Sequence, residues 1–151
     1  MNINTIIVPE LIINLKSTDK EKVLDELINL IKEQKTVPNI QTLKKKIFYR
    51  ESLMSTGIGL HIGIPHVRME GFKRPIIAIG IQPEGILNYE AIDNLPVKLV
   101  VMIICGATQH KIHIKILSQI VSLLKKNELF NQILIADNTS EVYRLFTEKS
   151  K

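Results

Sequence analysis

Hydrophobic residues along this chain form two patterns, a helical periodicity and the continuous runs typical of buried strands. Apolar residues three and four positions apart predict helices that end near Gln34, Arg50, Lys126 and Ile135, and a last helix that begins at Asn138 or Thr139. Continuous runs of branched aliphatic residues predict strands at 11–15, 62–64, 75–81 and 97–105. The alternation of these patterns predicts one α/β domain over residues 1–151, with helices layered on a sheet.

Capping and breaking residues predict where several of these elements begin and end. Thr18 and Glu21 have the spacing of a capping box at the start of the first helix. Pro83-Glu84-Gly85 predicts a turn after the third strand, and residues 87–96 are expected to be irregular or to hold a short strand. Asn127 is expected to break the longest helix and to begin a shorter one.

The stretch from Arg50 to His66 changes from a helix to a loop with glycines and ends in a proline-histidine pair. Proline restricts the residue before it to extended geometry, so His66 is expected at a strand edge. A neutral imidazole has a ring nitrogen that can attack phosphorus without a separate strong base. The pattern favours His66 as the acceptor of a phosphoryl group, although any one histidine taken alone is more often a surface or core residue.

Four further residues are candidates for the same site. His113 lies on the apolar face of the helix that begins at His110, so its ring is expected to point inward near free backbone N–H groups. Arg50 either stabilises a helix C-terminus or grips phosphoryl oxygens with its planar guanidinium. Ser55 and Thr56 offer hydroxyl donors to a phosphoryl group, but Ser-Thr before glycine is also a common loop composition.

Composition narrows the class of protein. Apolar residues make up 45% of the chain and aromatic residues only 5%, which predicts a folded protein with an aliphatic core. The single cysteine, Cys105, leaves no disulfide within the chain and fits a reducing cytoplasm. The sequence has no signal-peptide pattern and no apolar run of membrane length, so a cytoplasmic location without membrane insertion is expected.

The net charge of +5 raises nucleic-acid binding as an alternative function. The only tight run of lysines is 44–46, and no aromatic residues are interleaved with the basic ones, so a solvated helix face is favoured. His61 with His66, plus His110 with His113, could form a zinc site, but no cysteine or acidic residue has motif-like spacing to these histidines. No metal is therefore expected.

Several segments together resemble the fructose/mannitol-type (type 2) enzyme IIA domains of the bacterial sugar phosphotransferase system. They are Lys20-Glu21, Arg50-Glu51, Ser55-Thr56-Gly57-Ile58-Gly59, Ile62-Gly63-Ile64-Pro65-His66, Ala91-Ile92-Asp93-Asn94 with Pro96-Val97, and the segment that begins at His113. The resemblance implies a mannitol IIA-like fold, which is a layered sandwich of a central mixed β-sheet flanked by helices.

The resemblance also implies a function and its partners. In this family the histidine after the proline, here His66, accepts a phosphoryl group from the phosphocarrier protein HPr and passes it to a IIB domain. Arg50 and His113 match the family's other site residues. No cofactor, metal or nucleotide is implied.

The loop departs from the family pattern, because Leu60-His61 and Gly63 stand where asparagine-glycine and then alanine are usual. His61 is expected either to crowd the site or to add a polar contact. The segment 91–94 and the chain length resemble the nitrogen-regulatory branch more than the sugar-importing branch. A regulatory module without phosphoryl transfer and a basic nucleic-acid-binding domain stay open as alternatives.

Overall fold

A computed structural model describes residues 2–126 and 128–150 of the chain. Its strands are β1 (Ile12–Asn14), β2 (Gly57–Gly59), β3 (Ile62–Gly63), β4 (His66–Met69), β5 (Ile76–Ile86) and β6 (Val97–Gly106). Its α-helices are α1 (Lys20–Gln34), α2 (Ile40–Leu53), α3 (His110–Lys125), α4 (Leu129–Ile135) and α5 (Thr139–Lys149), preceded by short 3₁₀ turns at Ile3–Thr5 and Pro9–Leu11. The predicted break at Asn127 lies outside the described residues.

The strands form one mixed sheet around β6. One edge of β6 pairs antiparallel with β5, which pairs parallel with β1 at the sheet's end. The other edge of β6 pairs in parallel with β3 and then with β4, and β2 pairs antiparallel with β3. Because β6 has partners along both edges, its position in the middle of the sheet agrees with the sequence-based prediction.

Helices cover both faces of this sheet, which makes the sandwich three layers thick. Alternate residues of β6 point to opposite faces, as strand geometry requires. Leu99, Val101 and Ile103 join the core formed with α3, α4 and α5. Val100 and Met102 join the core formed with α1 and α2. The α/β sandwich with a central mixed sheet is therefore confirmed, and no described helix is long and apolar enough to cross a membrane.

Two boundaries in the first half of the chain differ from the predictions. The N-cap of α1 is Asp19 rather than Thr18, because the Asp19 carboxylate accepts a hydrogen bond from the backbone N–H of Lys22 at 3.1 Å. Helix α2 continues past Arg50 to Leu53, so Arg50 lies in the last turn of the helix. The backbone of Arg50 is therefore helical, with three more helical residues after it.

The turn predicted at Pro83-Glu84-Gly85 is wrong. Strand β5 runs through these residues to Ile86, with a register shift between Ile81 and Ile86 against β6. The side-chain amide of Gln82 donates to the carbonyl of Leu15 at 3.2 Å and to that of Ser17 at 2.9 Å. Gly85 has a φ of +90°, which absorbs the distortion of the bulged strand. These bonds come from distant segments, so the local sequence suggested a turn instead.

Candidate active site

Three elements bring the predicted site residues together. His66 is the first residue of β4 and lies opposite Ile103 of β6. The backbone N–H of Ile103 donates to the Pro65 carbonyl at 2.9 Å, which ties the start of β4 to the central strand. His113 faces inward from the first turn of α3 with only 6% of its surface exposed, as its helical face predicted. Arg50 reaches the same place from the last turn of α2.

The two histidines are in direct ring contact. Their centroids are 5.1 Å apart, and the ring planes meet at 83°, an edge-to-face arrangement. Nδ1 of His66 lies 2.7 Å from the carbonyl oxygen of Ile64. Because a carbonyl oxygen only accepts, Nδ1 carries the hydrogen in this bond, and the lone pair of the neutral ring is on Nε2. The backbone thus selects which nitrogen of His66 is nucleophilic.

Burial favours the neutral form of both rings. Desolvation lowers the pKa of His66 below its usual 6.5, and the charge of Arg50 acts in the same direction. Desolvation, with the nearby His66 and Arg68, lowers the pKa of His113 to about 4. Nε2 of His113 is buried without a hydrogen-bond partner among the described residues. Both imidazoles are therefore uncharged near neutral pH.

Positive side chains surround the cavity next to His66, which we call the His66 cavity. Its lining includes His66 and His113, and its charged members are Lys46, Arg50 and Arg68. No carboxylate belongs to this lining within the described part of the chain. Arg50 also donates from Nη1 to the carbonyl of Met54 at 2.9 Å, so it stabilises the end of α2 as well as facing the cavity.

Ser55 and Thr56 lie at a second cavity that His66 and Arg50 also line. The Ser55 hydroxyl donates to the carbonyl of Glu90 at 2.6 Å. The Thr56 hydroxyl donates to Oε1 of Glu51 at 2.9 Å. Phosphate binding by these two hydroxyls stays a prediction, and it would require them to leave these internal partners.

Thr56 belongs to a buried polar network that sequence reasoning did not assemble. Its hydroxyl lies 2.6 Å from the Tyr89 hydroxyl, and Lys20 lies 3.0 Å from Oε1 of Glu51 in an almost completely buried ion pair. The Lys20 ammonium also sits 4.3 Å from the centre of the Tyr89 ring. Lys20 and Glu51 belong to segments that resemble the enzyme IIA family, but their spacing in the sequence did not indicate that their side chains are in contact.

The His61 side chain lies away from the His66 cavity. Nδ1 of His61 is 2.7 Å from the carbonyl of Pro96, and its ring stacks on Phe130 of α4 with centroids 5.7 Å apart. His61 is not among the residues that line either cavity at His66. The expectation that it crowds the site or adds a polar contact there is therefore wrong.

A family model described as phosphoenolpyruvate-dependent sugar phosphotransferase system, EIIA 2, matches residues 6–149. The chain belongs to this family. The resemblance noted in the sequence is confirmed, and this IIA chain has the fold that the resemblance implied.

Curated relatives of this IIA chain include both branches of the family. The fructose-specific EIIABC component of Bacillus subtilis is 32% identical over 139 residues, which are 92% of this chain and 22% of that protein. A nitrogen regulatory protein of Pseudomonas aeruginosa is 26% identical over 137 residues, which are 91% of this chain and 88% of that protein.

A solved structure matches the fold closely. The crystal structure of the nitrogen regulatory protein IIA-Ntr from Neisseria meningitidis superimposes with a TM-score of 0.84 at 22% identity. The match covers 96% of this chain and 99% of that one.

The glycine that replaces the family's usual alanine also has a structural reason in this IIA chain. A Cβ atom built on Gly63 would lie 2.7 Å from Cζ of Tyr89 and 2.8 Å from its hydroxyl oxygen. No side chain fits at those distances without moving Tyr89. Gly63 therefore makes room for the ring that closes the buried network behind His66.

Proposed function

We propose that this IIA chain is a phosphohistidine carrier of the phosphotransferase system. His66 accepts a phosphoryl group from an HPr-type phosphocarrier and passes it to a IIB domain or uses it as a regulatory signal. Residues 1–151 act as one IIA domain in the cytoplasm. Membership of the family supports the role, and the geometry around His66 supports the residue.

The proposed transfer is an in-line displacement at phosphorus. The Nε2 lone pair of His66 forms the new N–P bond while the bond from phosphorus to the donor's ring nitrogen breaks. The electron pair of the broken bond stays on the donor ring, and one proton passes through water from the His66 ring to that donor ring. The loose transition state puts negative charge on the three phosphoryl oxygens, so cations positioned beforehand speed the reaction.

Arg50 and His113 have complementary roles in this proposal. The Arg50 guanidinium is permanently charged and binds phosphoryl oxygens in a planar fork. His113, whose pKa of about 4 keeps it neutral, donates a hydrogen bond from its otherwise unpartnered Nε2. A neutral donor adds no cation beside the attacking ring, so the His66 lone pair stays available.

The single observation that carries the proposal is the 2.7 Å bond between Nδ1 of His66 and the carbonyl of Ile64. This bond orients a neutral imidazole whose free lone pair lies on Nε2, at a cavity lined by cations. A histidine with only a structural role has no need of that combination.

The decisive experiment is incubation with phosphorylated HPr, followed by intact mass measurement at alkaline pH, which preserves an acid-labile phosphoramidate. Wild-type chain is expected to gain one phosphoryl group, and His66→Ala is expected to gain none. His61→Ala is the matched control, because its ring lies outside both cavities. No gain by the wild type, or an equal gain by His66→Ala, would reject the proposal.

The helper residues give a separate prediction. Arg50→Ala and His113→Ala are each expected to slow transfer roughly a hundredfold, since each removes a donor to the phosphoryl oxygens. Rapid-quench kinetics with phosphorylated HPr measures the rates, and circular dichroism checks that each variant is folded. Rates equal to wild type in a folded variant would make that residue a bystander.

The acceptor decides between the two branches of the family. A transport component passes its phosphoryl group to a IIB domain, whereas a regulatory protein binds its target differently in the two phosphorylation states. Mixing the phosphorylated chain with IIB domains encoded beside its gene tests the first possibility, and loss of the phosphoryl group to IIB is the positive result.

The two alternative functions find less support. A module without phosphoryl transfer was favoured by a crowding role for His61, and that ring contacts Pro96 and Phe130 instead. The lysine run 44–46 was considered as a possible nucleic-acid-binding feature. In the structure, Lys44 pairs with Asp25 at 3.0 Å and Lys46 lines the His66 cavity. The run is therefore divided between an ion pair and the candidate site.

A further inference from the structure

Arg68 lies on the same side of its strand as the proposed phosphoryl acceptor. Side chains two residues apart on a strand point to the same face, so Arg68 follows His66 toward α3. The alternate residues of β4, Val67 and Met69, join the opposite core. Arg68 and His66 both line the His66 cavity.

The Arg68 guanidinium is held at the cavity by α3 and the turn before it. Nη1 of Arg68 contacts the ring of His110, and it donates to the carbonyl of Ala107 at 3.4 Å. A guanidinium has only donors, so a ring nitrogen of His110 is the acceptor in this contact. Among residues 2–126 and 128–150, only Nη1 of Arg68 has a hydrogen-bond partner, so Nε and Nη2 can donate to a further acceptor.

The charge balance points to an anion as that acceptor. Ion pairs among the described residues engage Lys20, Lys35, Lys44 and Arg144, but not Arg50 or Arg68. The cavity that these two arginines line contains no carboxylate within the described residues. The side-chain positions thus concentrate unneutralised guanidinium groups beside the ring that would carry a phosphoryl dianion.

We propose that Arg68 is a second guanidinium ligand of the phosphoryl group on His66, and that His110 positions it. This inference rests on the proposed function, because it assigns a further residue to the same phosphoryl group. Arg68 binds the phosphorylated form more strongly than the unphosphorylated form, and so shifts the transfer equilibrium toward this chain. His110 does not touch the phosphoryl group and acts only through Arg68.

The test is the equilibrium of phosphoryl exchange with HPr. Purified chain and phosphorylated HPr are mixed at equal concentrations, and intact mass gives the phosphorylated fraction of each at equilibrium. Arg68→Met is expected to lower the equilibrium constant about tenfold, the effect of one charge-assisted hydrogen bond. Arg68→Lys is expected to fall between wild type and Arg68→Met, since an ammonium keeps the charge but loses the fork.

Arg74→Met is the matched control, because Arg74 is also exposed and lines a different cavity. This variant is expected to keep the wild-type equilibrium constant. His110→Ala is expected to lower the constant by less than Arg68→Met does. His110→Gln is expected to restore it, since the glutamine carbonyl can accept from the guanidinium.

Inorganic phosphate supplies a second readout that does not depend on transfer. The unphosphorylated chain is titrated with phosphate, and binding is followed through the NMR signals of His66. Arg68→Met is expected to bind phosphate more weakly, with a larger dissociation constant than wild type. Folded Arg68→Met with the wild-type equilibrium constant would overturn the assignment, even though His66 still accepts phosphoryl groups. A wild type that accepts no phosphoryl group would instead overturn the proposed function, and this inference with it.

Discussion

Burial lowers the pKa of His113 to about 4 in the folded chain. The sequence placed it on the inner face of a helix, and the folded chain buries it in contact with the His66 ring. Because its pKa falls from 6.5 to about 4, the unfolded chain binds a proton at this residue more readily than the folded chain does. The proposed use of His113 as a neutral donor is therefore expected to make the fold sensitive to acid.

We predict that His113 makes the protein less stable in acid. Its stabilising contribution is complete above pH 6.5 and is lost as the pH falls through about 4. The loss amounts to about 3 kcal/mol of the free energy of unfolding. Urea unfolding of wild type and His113→Gln at several pH values in this range measures the difference. Parallel curves of stability against pH in the two proteins would contradict the prediction.

The loop between β2 and β3 carries backbone strain at two residues, of which Leu60 is the exposed one. Leu60 and His61 both have positive φ, at 57° and 66°, in a two-residue hairpin connection that normally favours asparagine and glycine. Leu60→Asn is expected to stabilise the fold by about 1 kcal/mol, because asparagine tolerates this conformation better than leucine. Thermal and urea unfolding measure the change.

The control for this substitution is Leu87→Asn. Leu87 is also exposed, at 86% of its surface, and does not have a positive φ. Its replacement is expected to change stability by less than about 0.5 kcal/mol. Equal effects at the two positions would show that backbone strain at Leu60 is not the cause.

At the scale of single elements, local signals explain helices better than they explain the ends of strands. The apolar face of α3 predicts its span almost to the residue, because helical periodicity is carried by its own side chains. Strand β5 continues through Pro83 to Ile86, where it pairs again with β6, and the Gln82 amide bonds to the carbonyls of Leu15 and Ser17. Strand β4 depends on pairing with β6, and no separate local pattern predicted it.

The start of α1 gives a prediction about a single cap. Asp19→Ala is expected to cost about 1 kcal/mol of stability, because the first turn loses the acceptor for the N–H of Lys22. Thr18→Ala, at the position that the sequence suggested, is expected to cost less than about 0.5 kcal/mol. Urea unfolding of the two variants measures both values. A larger loss for Thr18→Ala would restore the capping box as the first turn's stabiliser.

At the scale of the whole molecule, the candidate site lies where the two layers of helices meet the sheet. Helix α2 supplies Arg50 from one layer, and helix α3 supplies His113 from the other. The ion pair of Lys20 and Glu51 joins α1 to α2 behind the site, and Glu51 also accepts from the backbone N–H of Thr56 at 3.2 Å. The relative positions of Arg50 and the loop at Thr56 therefore depend on this network.

Breaking that network is expected to destabilise the whole fold. Lys20→Met leaves the Glu51 carboxylate buried without its cation, which is expected to cost about 3 kcal/mol. Lys44→Met is the control, since Lys44 and Asp25 join the same two helices at the exposed surface, and it is expected to cost less than about 1 kcal/mol. Urea unfolding compares the two.

A double variant separates loss of the pair from loss of packing. Adding Glu51→Gln to Lys20→Met removes the unpaired buried charge and is expected to recover part of the lost stability. If the double variant were no more stable than Lys20→Met alone, burial of an unpaired charge would not explain the loss of stability.

The amino-acid pattern was sufficient to predict the periodic elements, the central strand and the candidate nucleophile. Each depends on information within a few residues: apolar spacing in α3, a continuous aliphatic run in β6, and a proline that constrains the backbone before His66. Family membership could also be predicted from the sequence, because several segments in a fixed order identify a family more specifically than any single motif does.

Which side chains are in contact follows from the packing of the folded chain and could not be predicted from local patterns. The 5.1 Å contact of His66 with His113, the buried pair of Lys20 with Glu51, and the contact of Arg68 with His110 each join residues more than thirty positions apart. The direction of the His61 ring was decided in the same way, by Pro96 and Phe130. Such contacts depend on how layers pack around β6, and no local periodicity encodes the distance between two side chains on different elements.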